Sequence, residues 1–516
     1  MASDPIASSS LGTRPGEELS ASLTRLQPGD EVDGFRIEEM LHQGGMATLW
    51  RVHRIEPAAG GPQLPLLMKV PRIMGGEDPA SIVGFEVEAM IMPTLSGPHV
   101  PRFVAKGDFT RRPYIVMEHI DGPSLKPVFD ASPVSLDEIV ETGSRVAEAL
   151  HDLHRQHVVH LDIKPSNVVM RPDGTAVLID FGLSRHDRLP DLLEEQFRLP
   201  MGTGPYMSPE QVQYIRSDPR SDIFALGVML YKFTTGERPF GAPHTVRGLR
   251  KRLYMDPVPP RTLRPDCPPW LQEIILRCLE VKPERRYQSA AQLALALQAP
   301  DQVPLTDRSR RQSRRGGLSQ LRRWFFALGS DPDSATVGVA PTLHRSPIIV
   351  AAVDTEGSEP ALLEALRETT RRLVATERDS RLACISVMKT ARIGIDERVD
   401  DKGRSLHVKR LVHLKHWARP IGRALALDDM RLTYHVLEAP DAADAIVGFA
   451  QRVKADQIVM GARASSTMRR YLGSVSSQVV AAAGCTVTVV KISGDANAEV
   501  MRAAERMEQP SAAADP

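Results

Sequence analysis

The stretch "HVVHLDIKPSNVVM", residues 157–170, decides how this chain is read. It sets Asp162, Lys164 and Asn167 close together in one polar loop between apolar residues. Phosphoryl transfer asks for little covalent help: phosphates must be held, a metal placed and the attacking hydroxyl aimed. Asp162 is suited to accept the hydrogen bond of a substrate hydroxyl, and Lys164 to neutralise a γ-phosphate. Asn167, together with Asp180 in "LIDFG", offers oxygen-bearing side chains to Mg²⁺, a hard cation. Upstream, Lys69 ends the strand "LLMK", where an ammonium can bind the α- and β-phosphates of a nucleotide. Glu88 in "GFEVEAMIM" is a partner to hold it there. Singly these residues are weak signals: Lys69 reads equally as a solvated lysine, Asp180 as a turn aspartate. Their joint order and spacing carry the reading.

The whole chain has 516 residues, too many for one ordinary domain. Its formal net charge of +1 argues against a dedicated nucleic-acid binder. Four cysteines are scattered with no C-x-x-C pair, so buried or incidental thiols are expected rather than zinc or disulfides. The N-terminus lacks the pattern of a secretory signal, and no apolar run has membrane-spanning length, so a cytoplasmic protein is expected.

Residues 1–33 are rich in Ser, Pro, Gly and Ala and read as a disordered segment. Strand-like patterns follow in "FRIEEMLHQ", "ATLWRVHR" and "PLLMKV", then helical ones in "PASIVGFEVEAMIMPTL", "SLDEIVETGSRVAEALHDLHRQ", "SDIFALGVMLYKFTTG" and "PPWLQEIILRCLE". A small strand-rich lobe before a larger helical one is the order this gives. Residues 299–344 mix Pro, Gly, Ser and Arg and read as a basic flexible linker. Its "RSRRQSRRGGLSQLRRWFF" suits a solvated hinge better than an anionic membrane or nucleic acid, and Ser309, Ser313 and Ser319 are weak candidates for autophosphorylation. From residue 345 to 493 strands such as "PIIVAAVD" and "TVTVVK" alternate with amphipathic helices, which implies a parallel sheet with covered faces; 494–516 read as a disordered tail.

By these motifs residues 34–298 resemble a eukaryotic-like serine/threonine protein kinase domain of the bacterial kind. "HLDIKPSN" and "DFG" match the family's catalytic loop and magnesium motif, and "GTGPYMSPEQ" (202–211) resembles its substrate-side segment. The resemblance implies an α+β bilobal fold, ATP and Mg²⁺ as cofactors, protein Ser/Thr substrates, and catalytic residues Asp162, Lys164, Lys69, Glu88 and Thr203 with Asn167 and Asp180 on the metal. In "YIVMEHIDG" it makes Met117 the gatekeeper, with Glu118 and Ile120 supplying hinge backbone groups for adenine. It further pairs Arg286 with Glu210, and makes Asp222 the brace of the catalytic loop.

Two departures stand out. The glycine loop keeps Gly44, followed by Gly45, but carries His42 and Ala47 where the family has glycine, which is expected to lower rate or affinity. Leu161 stands where the family carries an arginine that pairs with a phosphorylated activation segment. Residues 183–201 contain Ser184 as their one hydroxyl, so phosphate receiver and phosphate site are missing together. The expectation is a kinase not switched by phosphate in that segment, with Glu194 and Glu195 or a partner holding it instead. The alternative is a pseudokinase scaffold with a nucleotide-binding dimerisation module.

Residues 345–493 resemble a universal stress protein domain, carried by "IIVAAVD" with Asp354 and by "MGARASSTMRRYLGSVSSQVV". The resemblance implies an open five-stranded parallel sheet and nucleotide contacts at Asp354, Gly461, Gly473 and Ser474. Ala464 replaces one signature glycine, and the spacer is short. A glycine-serine pair before a helix is a ready anion site. The competing reading is a fold kept for homodimerisation through "TVTVVK". Together these imply a kinase joined to a stress- or nucleotide-sensing module.

Overall fold

The computed structural model describes residues 26–56, 64–73, 78–243, 245–313, 346–377, 379–390, 398–400, 403–462 and 474–492. Its first unit has two lobes. The N-terminal lobe is an antiparallel sheet of order β1-β2-β3-β4-β6-β5, made of β1 (Glu31–Val32), β2 (Phe35–Gln43), β3 (Ala47–Arg54), β4 (Leu66–Pro71), β5 (Phe103–Gly107) and β6 (Tyr114–Glu118). Alternation puts Phe35 and Ile37 of β2 and Trp50 and Val52 of β3 into one core with Met68 and Val116. Residues 26–33, expected to be disordered, join this lobe: Leu26 and Val32 are buried, and Tyr114 donates its hydroxyl proton to Asp33 at 2.8 Å.

Helix α1 (Pro79–Ile91) crosses beside the sheet. Asp78 caps it by accepting from Ala80 N at 3.1 Å, and Pro79 occupies the first turn, where its missing N–H costs nothing. In the helical lobe α2 (Leu136–Arg155) starts at Ser135, which accepts from Glu138 N, and carries acids in its first turn and His154 and Arg155 in its last. The next helix of this lobe's centre, Arg220–Thr235, is buried nearly all round. Gly227 lets it close on the helix Pro269–Cys278, because a Cβ there would lie 2.5 Å from Cys278 Cβ.

The first part of the expected linker is packed rather than flexible. Residues 299–313 pack on the helical lobe: Arg308 pairs with Glu273 at 2.8 Å, and Gln272 donates to the carbonyls of Arg308, Ser309 and Arg311. Ser309, a candidate phosphosite from sequence, is buried and donates to Thr306 O. Ser319 lies outside the described residues, while Ser313 is exposed.

The second unit is the open five-stranded parallel sheet expected, of order β13-β12-β11-β14-β15, with β11 (Ile348–Ala352), β12 (Arg381–Lys389), β13 (Leu432–Ala439), β14 (Gln457–Gly461) and β15 (Thr486–Val490). Successive residues of β11 serve opposite faces. Val350 and Ala352 meet the helix Ala442–Arg452, whereas Ile349 and Ala351 meet Trp417 and Ile421 of the helix Leu406–Leu425. Cys267, Cys278 and Cys384 are buried free thiols, and burial pushes Cys267 up to about 11. This fits their expected incidental role. No helix among the described residues is long and apolar enough to cross a membrane.

Arg286 and Glu210 form a bidentate pair at 2.6 and 2.7 Å in the helical lobe, both shut away from water. Replacing one partner strands the other's charge in a low-dielectric interior. Arg286→Ala is expected to destabilise the two-lobed unit by about 3–5 kcal/mol, measured as a lowered urea midpoint of that unit's transition.

Candidate active site

The cleft between the two lobes gathers the residues singled out from sequence. Lys69, on β4, donates to Glu88 Oε2 at 2.5 Å and to Asp180 Oδ1 at 2.9 Å. Burial works against the Lys69 ammonium, yet Asp180 and Glu88 outweigh it and hold the pKa above the ordinary lysine value. Burial lifts the Glu88 carboxyl, while Lys69 pulls it back. Lys69 lowers Asp180 to about 2. Asp180 is therefore an anion at neutral pH. Its side chain keeps 45% of its surface open toward the cleft.

Asp162, Lys164 and Thr203 form a second knot. Lys164 Nζ donates to Asp162 Oδ2 at 2.6 Å and to Thr203 Oγ1 at 3.1 Å, and Thr203 donates its backbone N–H and its hydroxyl to Asp162 Oδ1 at 2.9 and 2.7 Å. Asn167 ties the knots together. Its Nδ2 donates to Asp162 O at 3.0 Å, and its backbone carbonyl accepts from Ile179 N at 3.0 Å, one residue before Asp180. With Nδ2 committed to Asp162, Oδ1 is the side-chain atom of Asn167 left for the expected metal.

The loop that carries these groups is strained and braced. Leu161 and Asp180 both hold positive φ, at 62° and 67°, a backbone state non-glycine residues keep only when the surroundings impose it. Asp222 imposes it at Leu161, accepting from the N–H groups of His160 and Leu161 at 2.9 and 2.8 Å and from His154. Gln211 adds a bond to Leu161 O at 2.7 Å. Phe181 is wholly buried, its ring 5.1 Å from that of His160.

In the segment expected to receive adenine, Met117 is buried opposite Leu67, and Ile120 lies against Val169 and Val177. Glu118 ends the β4–β6 ladder, and its carboxylate pairs with Arg171 at 2.6 Å. In the glycine loop Gly44 N donates to Ala47 O at 2.9 Å, closing the β2–β3 turn. Neither Gly44 nor Gly45 is left-handed, so the conformational freedom of glycine is not used there. What remains is room: a Cβ on Gly45 would meet nothing, while one on Gly44 would face the His42 ring at 3.5 Å.

Sequence reasoning missed the residues that order the activation segment. β10 (Arg185–His186) pairs antiparallel with β7 (Val158–Val159) beside the catalytic loop, which β8 (Val168–Met170), paired with β9 (Ala176–Leu178), follows. A short helix, α3 (Leu192–Gln196), follows, capped by Asp191. Asp191 also accepts from Arg216 Nε at 2.8 Å, both side chains buried, and Arg216 reaches Leu183 O. Arg216 lies in "YIRSD" with no motif to mark it. Ser184, the segment's one hydroxyl, is buried and donates to His160 O at 3.1 Å.

In the second unit Asp354 follows β11 and Gly461 ends β14. These neighbouring strands continue in opposite directions across the sheet, which makes their carboxyl ends the switch point where such sheets take ligands. Leu362 packs on Gly461 so closely that a Cβ would meet it at 3.1 Å. Ser474 opens a helix (Ser474–Ala482), and Gly473 lies outside the described residues.

Comparison with known proteins agrees with both halves. Residues 80–297 match the model of the protein kinase domain, and residues 346–491 match that of the universal stress protein family. The serine/threonine-protein kinase PknB of Mycolicibacterium smegmatis is 30% identical over 295 residues, covering 54% of this chain and 46% of that protein. A probable serine/threonine-protein kinase of Clostridium acetobutylicum is 30% identical over 260 residues, 50% of this chain and 38% of its own. PknB of Mycobacterium tuberculosis is 29% identical over 276 residues, 52% and 42% respectively. The chain thus spans less than half the length of these curated relatives. It carries a protein kinase domain followed by a universal stress protein domain.

Proposed function

We propose that this chain is an ATP-dependent protein serine/threonine kinase whose second domain senses nucleotide or stress state. One observation carries the reading. Glu88, Lys69 and Asp180 form one run of contacts and Asn167, Asp162, Lys164 and Thr203 a second in the same cleft, the two joined where Ile179, the residue before Asp180, donates its N–H to the Asn167 carbonyl. A scaffold that had lost catalysis would have no need to keep both runs and the link between them.

In this reading Lys69, fixed by Glu88, binds the α- and β-phosphates of ATP. Asp162 orients a serine or threonine hydroxyl and takes its proton as the oxygen bonds to the γ-phosphorus and the bond to the β-phosphate oxygen breaks, releasing ADP. Lys164 neutralises charge on the transferred group, and Thr203 keeps Asp162 and Lys164 in register. Asp180 and Asn167 Oδ1 would hold Mg²⁺; two hard oxygens suit an ion that fills its other positions from phosphates and water. Among the described residues no group of three or more His, Cys, Asp or Glu could hold a metal by itself, in keeping with that arrangement. Bound Mg²⁺ supplies neutralisation of phosphate charge.

The sheet domain is read as a nucleotide sensor at the Asp354–Gly461 edge. β15 is an edge strand of that sheet, which also suits pairing with a second copy.

Incubating the full chain with labelled ATP, Mg²⁺ and a serine- and threonine-rich acceptor protein is expected to transfer label. Asp162→Asn and Asp180→Asn should each lower the rate by about 10²-fold or more. ATP binding without transfer in the unsubstituted chain would favour the scaffold reading. Phosphopeptide mapping of the active protein should find no stoichiometric phosphate within 183–201, since Ser184 is buried in the ordered segment. Stoichiometric label there that tracked activity would overturn that expectation.

A further inference from the structure

The activation segment is ordered although the means of ordering it by phosphate is missing. Leu161 offers no guanidinium, and Ser184 is spent on the His160 carbonyl. The outward side of α3 shows what covers it instead. Arg381, at the start of β12, grips Glu195 with two hydrogen bonds of 2.6 Å, and its guanidinium is steadied by Thr433 at 2.8 Å. Arg452 donates to Glu195 O at 3.0 Å, and Gln196 donates to Val436 O at 2.7 Å. His435 lies beneath, 3.3 Å from Glu195. Burial, with Arg381 and Arg452 nearby, keeps that imidazole neutral, so the arginines supply the charge.

A second grip falls on α1. Glu86 and Glu88 are two residues apart, roughly 200° around a helix, so they point to opposite sides. Glu88 holds Lys69 in the cleft, while Glu86 pairs with Lys415 at 2.5 Å. Lys415 belongs to the long helix Leu406–Leu425 of the sheet domain, and its ammonium also sits over the rings of Tyr434 and Phe109. Between the two charged grips the seam is apolar: Val408, Leu411, Val412 and Val436 share one cluster with Ile82, Val83 and Phe85 of α1 and with Leu192 and Leu193 of α3.

We propose that the universal stress protein domain is the activating clamp of its own kinase, Arg381 substituting through Glu195 for a phosphate-directed contact and Lys415 holding α1 through Glu86. The proposal rests on the kinase reading above. Bidentate arginine–carboxylate pairing is the geometry otherwise used to capture a phosphate; here the anion is a permanent glutamate and the arginine comes from the appended domain. Catalytic competence then follows the docking of that domain.

The test uses the full chain with Arg381→Ala, Lys415→Ala, Glu195→Gln and the charge exchange Arg381→Glu with Glu195→Arg. Arg371→Ala serves as control, since among the described residues Arg371 pairs with Glu368 on its own helix, away from the clamp. Transfer of labelled phosphate to an acceptor protein is read beside amide hydrogen exchange in residues 79–91 and 189–198. Each clamp substitution is expected to slow transfer by about 5- to 150-fold and to speed exchange in both segments. The charge exchange should recover part of the loss, and the control should behave as the unsubstituted chain. Where Arg381→Ala also loses exchange protection in β11 and β12, it has disturbed the sheet domain itself, and Glu195→Gln carries the comparison. Unchanged transfer and exchange in Glu195→Gln and Lys415→Ala would overturn the proposal. So would a rise in transfer, which would make the contact inhibitory. If the unsubstituted chain transfers nothing, the kinase reading fails. Exchange then still decides the docking: opened segments in the clamp variants support it, unaltered ones refute it.

Discussion

Helix α1 is the part on which the rest depends, because it answers to two partners at once. Inward, Glu88 sets the position of Lys69, which in turn sets Asp180. Outward, Glu86 answers to a lysine of another domain. A helix is stiff on the scale of one side-chain contact, so displacing the outer pair displaces the inner one. The helix also meets the metal motif directly: a Cβ on Gly84 would lie 3.0 Å from Gly182 O. Nothing bulkier than glycine leaves α1 close enough for Glu88 to reach Lys69 without moving that backbone.

The catalytic loop shows how strain is offset. Holding Leu161 and Asp180 at positive φ costs of the order of 1–3 kcal/mol each. At Leu161 Asp222 meets part of this with three charge-assisted hydrogen bonds, two from buried backbone N–H groups and one from His154, which are stronger than neutral ones. A leucine at 161 fits this setting. Its backbone N–H and carbonyl are both engaged, by Asp222 and Gln211, and its side chain is buried. The position has kept its structural duty while giving up its reach toward a phosphate.

Much of this was legible in the sequence, and the reasons for the gaps are physical. "HLDIKPSN" and "LIDFG" were readable because a loop that must aim several side chains at one point leaves little freedom in their spacing. The strands of the second domain were readable because burial on two faces demands continuous apolar runs. The ends of the first domain were not. Residues 26–33 contribute only a few buried apolar groups amid Gly, Asp and Glu, and residues 299–313 dock through Arg308 on the buried acid Glu273. Composition reports polarity but not whether a charge has found its partner. The clamp was illegible for the same reason in stronger form: Glu195 and Arg381 lie 186 positions apart, and neither belongs to a motif. The sequence showed only that something had to replace the lost arginine, with Glu194 and Glu195 named as the acids at hand.

A covalently attached partner changes what control can mean. Phosphorylation alters a segment by adding charge that a phosphatase removes. A fused domain is always present, at an effective concentration set by its tether, so its mere availability carries no signal. Any switch must come from something that distinguishes docked from undocked states, and a ligand shifts that balance only by its difference in affinity for the two. The carboxyl edge of the sheet at Asp354 is well placed to make such a difference. Arg410, one helical turn and a residue before Lys415, lies 4.0 Å from Asp354 and pairs with Glu356 at 2.8 Å. In the proposed reading the helix that holds α1 begins at the edge assigned to nucleotide, so that a ligand bound there would reach Lys415 through the same helix.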